Sequence, residues 1–427
     1  MNGESVSLSH VGETTTTWPT RYTLVVFMLV TYVIDWAVRI NFTVATPKIM
    51  SAYGWNKTEM GVVLSAFTWA FVAFKLPAGW LADRFGGMKT MIGGILFCSF
   101  ITLLFPLTAN IAVMAALRFL LGVGEITYPP SQIRLLARWF PDGERPKVNG
   151  ICLAASSVGQ LTAGPLAAWL LVSQGWHSVF YAFGILGVLW AIGFWRWDAN
   201  PRTENRLNEQ FLASAPRIRD KLAWSRLLRL RTVWGLVIVY ISLTYCFWLF
   251  LNWLPTYLIE ARGFTFLKAG LYSALPSVAQ GAAQIAAGWL STYLIARGFS
   301  KNFSRKLIMG VCFLGASLFL ILIVVTLSPL LAVVYISASL ALLGACYTPI
   351  WTLPTDLTVR WPGTLFGFIG TIGFLGGAVA PIVTGYIVDH TGSWHLAFYL
   401  ASAISIIGFL ATLFLVSTDS VDAELQA

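Results

Sequence analysis

Five ionisable side chains lie inside stretches of this chain that are otherwise apolar enough to cross a membrane. They are Asp35, Arg39, Lys75, Arg118 and Glu125. A charged side chain at a bilayer centre costs roughly 2.5–3.5 kcal/mol, so five are tolerated only where they pair with one another or face a wet cavity. Such a set could bind an anion and carry a proton. We therefore expect the first, second and fourth apolar stretches to line a polar pathway.

Arg39 is the first candidate for binding the carboxylate of a substrate. A guanidinium group offers a planar fork of donors that matches a carboxylate, and it keeps its charge when partly desolvated. Asp35 lies one helical turn earlier on the same face and could pair with Arg39. Under that alternative reading Arg39 is a member of a structural ion pair.

Glu125 is the candidate proton carrier, and Asp35 is a second candidate for proton coupling. Apolar surroundings favour a neutral carboxyl while a nearby cation favours the charged form, so substrate occupancy can change the proton affinity. Arg118 lies seven residues before Glu125 on a similar helix face. We interpret Arg118 as a structural partner rather than a substrate ligand.

The elements that must position these residues are membrane-spanning helices. Of 427 residues, 57% are hydrophobic and 11% charged, which is outside the range of a soluble globular domain. Repeated apolar runs of about 20 residues predict helical spans, and a first run that is long and followed by others argues against a cleaved secretory signal. Twelve spans are predicted, at residues 22–46, 59–82, 88–108, 111–139, 147–173, 177–196, 232–258, 267–295, 305–327, 329–354, 363–388 and 394–416.

The polar segment of residues 198–231 predicts a cytoplasmic linker between two halves. The N-terminal half covers residues 21–197 and the C-terminal half residues 232–417. Residues 1–20, rich in Ser, Thr and Gly, predict a disordered cytoplasmic tail, and residues 418–427 form a second tail. The sequence AGWL ends both the second and the eighth span, as expected for a duplicated six-span unit.

The net charge of +10 has a topological cause rather than a nucleic-acid partner. Most Lys and Arg residues fall in alternate loops, as the positive-inside rule predicts for cytoplasmic loops. We therefore expect both termini in the cytoplasm and a multi-pass protein of the cell membrane, most simply a bacterial inner membrane. Four basic residues lie on the opposite side: Lys48, Lys57, Arg262 and Lys268.

The sequence offers no pattern for a cofactor, a metal or covalent catalysis. Five cysteines are scattered through apolar spans without paired spacing, and no two of the four histidines have helical ligand spacing. A nucleophile with a base is also missing. We expect no metal centre, no cofactor and no enzyme activity.

Several segments resemble the major facilitator superfamily. Residues 79–89, GWLADRFGGMK, resemble its cytoplasmic loop motif between helices two and three. Residues 39–45, RINFTVA, and 118–125, RFLLGVGE, resemble its anion:cation symporter branch, which includes sugar-acid, phthalate and sialin-type carriers; WLPTY at 253–257 and RWFP at 138–141 add to this. The resemblance runs from about residue 22 to 416. It implies an all-α membrane protein of twelve transmembrane helices in two pseudo-symmetric six-helix halves.

The resemblance also implies roles for individual residues. The glutamate equivalent to Glu125 is associated with protonation. Asp83, Arg84 and Lys89, beside Gly79, belong to a gating motif whose acid pairs across the halves, although a solvated loop charge is the alternative reading. Gly164 and Pro165 resemble a glycine motif of span five that allows close packing and bending. The second half has Thr292 and Tyr293 where Asp83 and Arg84 would repeat, so its gate should be weaker or differently built.

The chain departs from that branch at four positions. Val38 stands where a carboxylate usually precedes the arginine, so either Asp35 replaces that acid or one ionic interaction is missing. Lys75 stands where a neutral amide is common, and it could hold a second carboxylate, compensate Asp35 or snorkel to a helix end. Phe71 and Phe374 replace a tyrosine and an asparagine. These changes favour a less hydroxylated anion, aromatic or dicarboxylic, over a sugar acid.

Other polar and aromatic side chains could contact the substrate. These are Tyr32, Tyr128, Gln160, Trp248 and Gln280. The glutamines could equally hydrogen-bond neighbouring helices, and so many aromatic residues provide cavity lining by chance.

The sequence thus predicts a secondary transporter that takes up a small organic anion, a carboxylate, by symport with protons. The alternative is an anion exchanger or uniporter in which Glu125 is structural, and a sensor or membrane enzyme has little support. The expected partners are the anion, protons and membrane lipid. We expect the protein to be a monomer and to bind no nucleic acid.

Overall fold

The computed structural model describes residues 18–140, 145–197, 228–358 and 362–418, and every regular element there is helical. The predicted tails of residues 1–20 and 418–427 and the predicted linker of residues 198–231 lie largely outside the described residues. The helices of the N-terminal half are α1 Trp18–Tyr53, α2 Lys57–Phe85, α3 Gly87–Leu104 with a 3-10 turn Phe105–Leu107, α4 Ile111–Glu125, α5 Tyr128–Trp139, α6 Arg145–Gln174 and α7 Trp176–Trp197. Those of the C-terminal half are α8 Arg231–Glu260, α9 Phe266–Tyr272, α10 Leu275–Ala296, α11 Lys301–Val325, α12 Pro329–Leu357, α13 Pro362–Thr391 and α14 His395–Phe414.

In the described ranges these helices make twelve crossing segments, in agreement with the predicted fold class. Ten are long and apolar enough to span a membrane on that ground alone; the second and the eighth, which lie at the interface of the halves, are the exceptions. The predicted fourth span is two helices, α4 and α5, and the predicted eighth is α9 and α10. Proline at the start of α5 and of α10 explains both breaks, because proline lacks an N–H and restricts the residue before it.

The two halves repeat the same helix pairings. In the first half α1 packs on α6, α2 on α4 and α3 on α7, and in the second half α8 packs on α13, α10 on α12 and α11 on α14. Each pair occupies the same place in its six-span unit. The internal duplication inferred from the sequence is therefore visible as a twofold pseudo-symmetry.

The bundle has two ends, which we name by the chain. The near end is where α1 begins and α14 ends, and the far end is where α1 ends and α2 begins. The predicted loop groupings follow this division: Arg84 and Lys89 lie at the near end, whereas Lys57 and Arg262 lie at the far end.

Polar contacts join the two halves at the far end. The Asp389 carboxylate, near the end of α13, accepts hydrogen bonds from the backbone N–H of Lys57 at 3.0 Å and of Thr58 at 2.5 Å, and from the Thr58 hydroxyl at 2.6 Å. The Lys57 ammonium also pairs with Glu260 at 3.3 Å. Asp389 therefore satisfies free N–H groups at the start of α2 from the opposite half. We call the Asp389, Lys57 and Thr58 contacts the far-end latch.

Close backbone contact extends this closure on both sides of the bundle. A Cβ added to Gly61 of α2 would come within 2.5 Å of the Pro381 carbonyl oxygen of α13. A Cβ added to Gly164 of α6 would come within 2.9 Å of the Gly270 carbonyl oxygen of α9. Glycine lets these helices approach each other across the two halves.

Candidate functional site

Arg39 lies at the centre of a buried charge cluster. Its Nη2 lies 2.5 Å and its Nε 3.0 Å from Oε2 of Glu125, and Nη2 lies 3.4 Å from Oδ2 of Asp35. The Arg39 side chain is 13% exposed, that of Asp35 5% and that of Glu125 1%. One guanidinium group, the only member with appreciable solvent access, is thus shared by two carboxyl groups. We call Asp35, Arg39 and Glu125 the charge triad.

Local sequence explains how the triad is built. Asp35 and Arg39 are one turn apart on α1, and Glu125 is the last residue of α4, immediately before the break made by the prolines of α5. The second carboxyl oxygens, Oδ1 of Asp35 and Oε1 of Glu125, are buried without a hydrogen-bond partner. Of the two alternatives raised by Val38, the geometry matches the one in which Asp35 replaces the missing acid from one turn away.

Arg118 is fully buried and is held by aromatic rings rather than by a carboxylate. Its guanidinium carbon lies 4.5 Å from the centroid of Phe42 and 4.9 Å from that of Phe67. Nε and Nη1 have no hydrogen-bond partner. The structure therefore shows a cation–π site at Arg118, where the sequence suggested a partner for Glu125.

An aromatic cluster joins the triad to the C-terminal half. The Arg39 guanidinium lies 4.4 Å from the centroid of Trp36 and 5.9 Å from that of Phe71. Phe71 lies 5.4 Å from Phe374 of α13 and 6.5 Å from Trp248 of α8, measured between ring centroids. The predicted residues Phe71, Trp248 and Phe374 are therefore brought together, on the face of the triad that meets the other half.

Lys75 lies one turn after Phe71 on α2 and points into the same interface. Its Nζ lies 5.0 Å from the centroid of Phe366 and 5.1 Å from that of Phe374. It also lies over Gly370, where an added Cβ would collide with the ammonium group. The side chain crosses towards α13 instead of extending along α2, which does not match the snorkelling alternative.

Gln160 and Gln280 line a small cleft between the halves. Both side chains are nearly buried, and the cleft also has Thr43, Phe247 and Ser277 in its walls. Its walls come from α1, α6, α8, α10, α12 and the turn before α10, and they do not include the charge triad. The structure thus brings the two predicted glutamines into one cleft of which Arg39 and Glu125 are not a part.

The two predicted tyrosines lie behind the triad. Tyr128 is 3% exposed and packs against α3, where its ring would meet a Cβ added to Gly94. Tyr32 is 7% exposed and lies one turn before Trp36 on α1. Their burial favours support of the triad over contact with a substrate in this conformation.

Of the charged residues of the predicted near-end gate, the structure describes the side chains of Arg84 and Lys89. Arg84 is exposed and lies over the Trp80 ring of its own helix at 5.0 Å, and Lys89 is exposed. A Cβ added to Gly79 would meet no atom within 4 Å. The side chain of Asp83 lies outside the described residues. Gly164 makes the far-end contact given above, and Pro165 follows it within α6.

The second half has a different set of charges at the matching place. Asp356, near the end of α12, pairs with Arg305 at 3.3 Å and with Lys301 at 3.6 Å. Arg305 also donates to the hydroxyl of Ser291, near the end of α10, at 2.8 Å. This agrees with the expectation of a differently built gate.

Sequence reasoning missed two contributors, Phe67 and Asp389. Phe67 lies between the guanidinium groups of Arg39 and Arg118, within 5.3 Å of each. A phenylalanine in an apolar span carries no signal of such a role. Asp389 had a usable signal, because an acid at the predicted end of span eleven is unusual on a side with few charges. No cluster of His, Cys, Asp and Glu among the described residues could hold a metal ion.

Comparison with known proteins shows the family of this chain. The chain is 31% identical to a probable galactarate/D-glucarate transporter of Bacillus subtilis, over 97% of this chain and 95% of that protein. It is 29% identical to a probable sulfoacetate transporter of Cupriavidus necator, over 95% and 96% of the two chains. A crystal structure of a bacterial homologue of the human lysosomal transporter Spinster, inward-facing and occupied, matches with a TM-score of 0.76 at 16% identity, over 93% of this chain and 97% of that one. The sequence profile of the Major Facilitator Superfamily matches residues 26–381. The chain therefore belongs to the Major Facilitator Superfamily, as a multi-pass membrane carrier and not an enzyme.

Proposed function

We propose that this protein is a secondary active transporter that takes up a small organic anion, a carboxylate, together with protons. The observation that carries the proposal is the charge triad, in which one partly exposed guanidinium is shared by two buried carboxyls. A site of this kind can hold a proton on a carboxyl and an anion on the guanidinium at the same time. Relatives named for sulfoacetate and for galactarate/D-glucarate support the substrate class.

The coupling follows from charge balance. With both acids ionised, Arg39 is held by Glu125 and Asp35, and a substrate carboxylate must compete with them. Protonation of Glu125 weakens its hold, because a neutral carboxylic acid is a poorer acceptor than a carboxylate. The guanidinium is then free to bind the substrate. Binding of the proton increases the affinity for the anion, and binding of the anion increases the affinity for the proton. This is the positive coupling that symport needs.

Transport would use two arrangements of the halves. In the present arrangement the far end is closed by the far-end latch and by the contacts of Gly61 and Gly164, while Gly79 at the near end is unpacked. The other arrangement would break these contacts and pack the near end. We place the near end in the cytoplasm of a bacterial inner membrane, with both termini there, because the basic loops lie at that end.

The decisive experiment compares Glu125→Gln with the parent protein in proteoliposomes. The amide keeps the shape of the side chain but cannot carry a proton. We expect uphill accumulation driven by a pH gradient to be lost, and exchange of labelled for unlabelled anion at equal pH to stay within a few-fold of the parent.

The matched control is Glu59→Gln, in the capping box at the start of α2, where glutamine preserves the cap. It should leave both activities intact. Accumulation by Glu125→Gln under a pH gradient would contradict proton coupling at this residue, and the exchanger or uniporter reading would replace symport.

A further inference from the structure

Lys75 carries a positive charge that no described carboxylate neutralises. Arg39 is shared by two acids, whereas the ion pairs of the described residues do not include Lys75. Its Nζ lies over two aromatic rings, those of Phe366 and Phe374, at 5.0 and 5.1 Å. Aromatic faces offset part of the cost of removing an ammonium from water, but they leave its hydrogen-bond donors free.

The position of this cation is maintained by both halves. Phe374 and Gly370 are one turn apart on α13, and the absence of a side chain at Gly370 makes the room that the ammonium occupies. Lys75 therefore fits into an indentation of the other half. A side chain that only compensated Asp35 would turn towards α1 instead.

Arg39 and Lys75 contact different rings of one aromatic pair, Phe71 and Phe374. Arg39 lies 5.9 Å from the centroid of Phe71, Phe71 lies 5.4 Å from Phe374, and Phe374 lies 5.1 Å from Nζ of Lys75. The interface thus presents a cation, two apolar ring faces and a second cation in sequence. A molecule that matched it would have an acidic group at each end of an apolar body.

We propose that the transported anion is a dianion with an apolar body, whose first acidic group binds Arg39 and whose second binds Lys75. Phe71 and Phe374 contact the body between the two groups. This inference rests on the proposed function of the same site and adds the substrate class. Because Lys75 reaches across to α13, the second acidic group also brings α2 and α13 together, so the ligand stabilises contact between the halves as it binds.

The test measures dissociation constants by calorimetry on the purified full-length protein, with two matched pairs of probes. The pairs are benzoate with phthalate and propionate with succinate, each a monoanion and a dianion of similar body. We expect the parent to bind the dianion of at least one pair about tenfold more tightly or better, as for a charge-assisted contact. Lys75→Gln should remove this preference and leave monoanion binding within about twofold.

Two further variants make the result specific. Lys75→Arg keeps the charge and should retain the preference for the dianion. Lys48→Gln removes another lysine that lies over a phenylalanine ring, 4.9 Å from Phe266, and should leave the preference unchanged.

The outcomes separate this inference from the proposed function. Equal binding of mono- and dianions by the parent, or an unchanged preference in Lys75→Gln, would overturn the dianion inference while organic anion binding stands. Binding of neither class by the parent would contradict the proposed function, and the inference with it.

Discussion

At the scale of single residues, the site depends on a guanidinium that makes three contacts from one buried position. Arg39 uses Nε and Nη2 on Glu125 and Nη2 on Asp35 while its face lies on Trp36. A planar guanidinium can hydrogen-bond to carboxylates and stack on a ring at the same time, because its donors lie in the plane and its faces remain free. An ammonium at this position would keep the charge but lose this combination.

We therefore predict that Arg39→Lys impairs the transporter even though the charge is conserved. Substrate affinity should fall about tenfold or more, because a bidentate, ring-stacked contact is replaced by a single charged donor. The dissociation constant of the purified variant is the measurement.

Arg297→Lys serves as the control for this substitution. Arg297 is exposed at the near end and lies 5.0 Å from the Tyr293 ring. Its variant should bind substrate as the parent does. An Arg39→Lys protein with parental affinity would mean that charge alone, without the fork, holds the substrate.

At the scale of helices, the far-end latch shows how one half can be stabilised by the other. The free N–H groups at the start of α2 are satisfied in two ways. Asn56 caps the N–H of Glu59 within its own half, and Asp389 of α13 accepts from Lys57 and Thr58. The second contact exists only while the far end is closed, so its energy favours that arrangement.

We predict that Asp389→Asn shifts the protein towards the arrangement that is open at the far end. The amide can accept from one of the two N–H groups but presents its own NH2 to the other, and the favourable charge at the helix start is lost, a cost of about 1–2 kcal/mol. Spectroscopic distances between labels on the far ends of the two halves should lengthen in a larger fraction of molecules.

Glu260→Gln is the comparison for this variant. Glu260 pairs with Lys57 in the same region but is 33% exposed, and exposed pairs contribute little. A shift in Glu260→Gln as large as that in Asp389→Asn would show that general charge at the far end, rather than the helix cap, controls the closure.

At the scale of the whole molecule, two six-helix halves with internal pseudo-symmetry meet along α2 with α13 and along α6 with α9 and α10. The contact of α2 with α13 across the halves is as extensive as any helix pairing within a half, and it includes the close approach at Gly61 and the far-end latch. Motion of the halves as units therefore has to separate this packed surface. The charge triad belongs to one half, and Lys75 reaches the other, so motion of the halves changes the environment of both.

We predict that joining the halves at the far end stops transport. Lys57 of α2 and Glu260 of α8 pair across the halves at the far end with partly exposed side chains, so Lys57→Cys with Glu260→Cys places two accessible thiols there. A short thiol cross-linker should abolish uptake, and a cleavable version should restore uptake after reduction. The five native cysteines are buried and should not compete.

The corresponding control joins two helices of one half, through Lys306→Cys and Leu413→Cys on α11 and α14, where the ammonium of the partly exposed Lys306 donates to the carbonyl of the exposed Leu413 at 3.2 Å. This cross-link should leave uptake largely intact. Uptake that persisted with the far end joined would contradict transport by alternating opening of the two ends.

The sequence by itself determined the twelve crossing segments, the two halves and the residues to examine. In lipid each backbone group must be satisfied within its own helix, so length and hydropathy alone identify ten of the twelve spans among the described residues, and the cost of buried charge singles out Asp35, Arg39 and Glu125. It did not predict the breaks between α4 and α5 and between α9 and α10, because the effect of a proline depends on the surrounding packing.

Tertiary structure alone decided which of these residues meet. Arg39 and Glu125 are 86 positions apart, and their contact depends on how α1 and α4 rotate against each other, which periodicity in one helix does not specify. For the same reason, the sequence did not predict the rings around Arg118, the far-end latch or the direction of the Lys75 side chain. Each of these is a contact between helices, fixed by crossing angle and close approach rather than by local sequence.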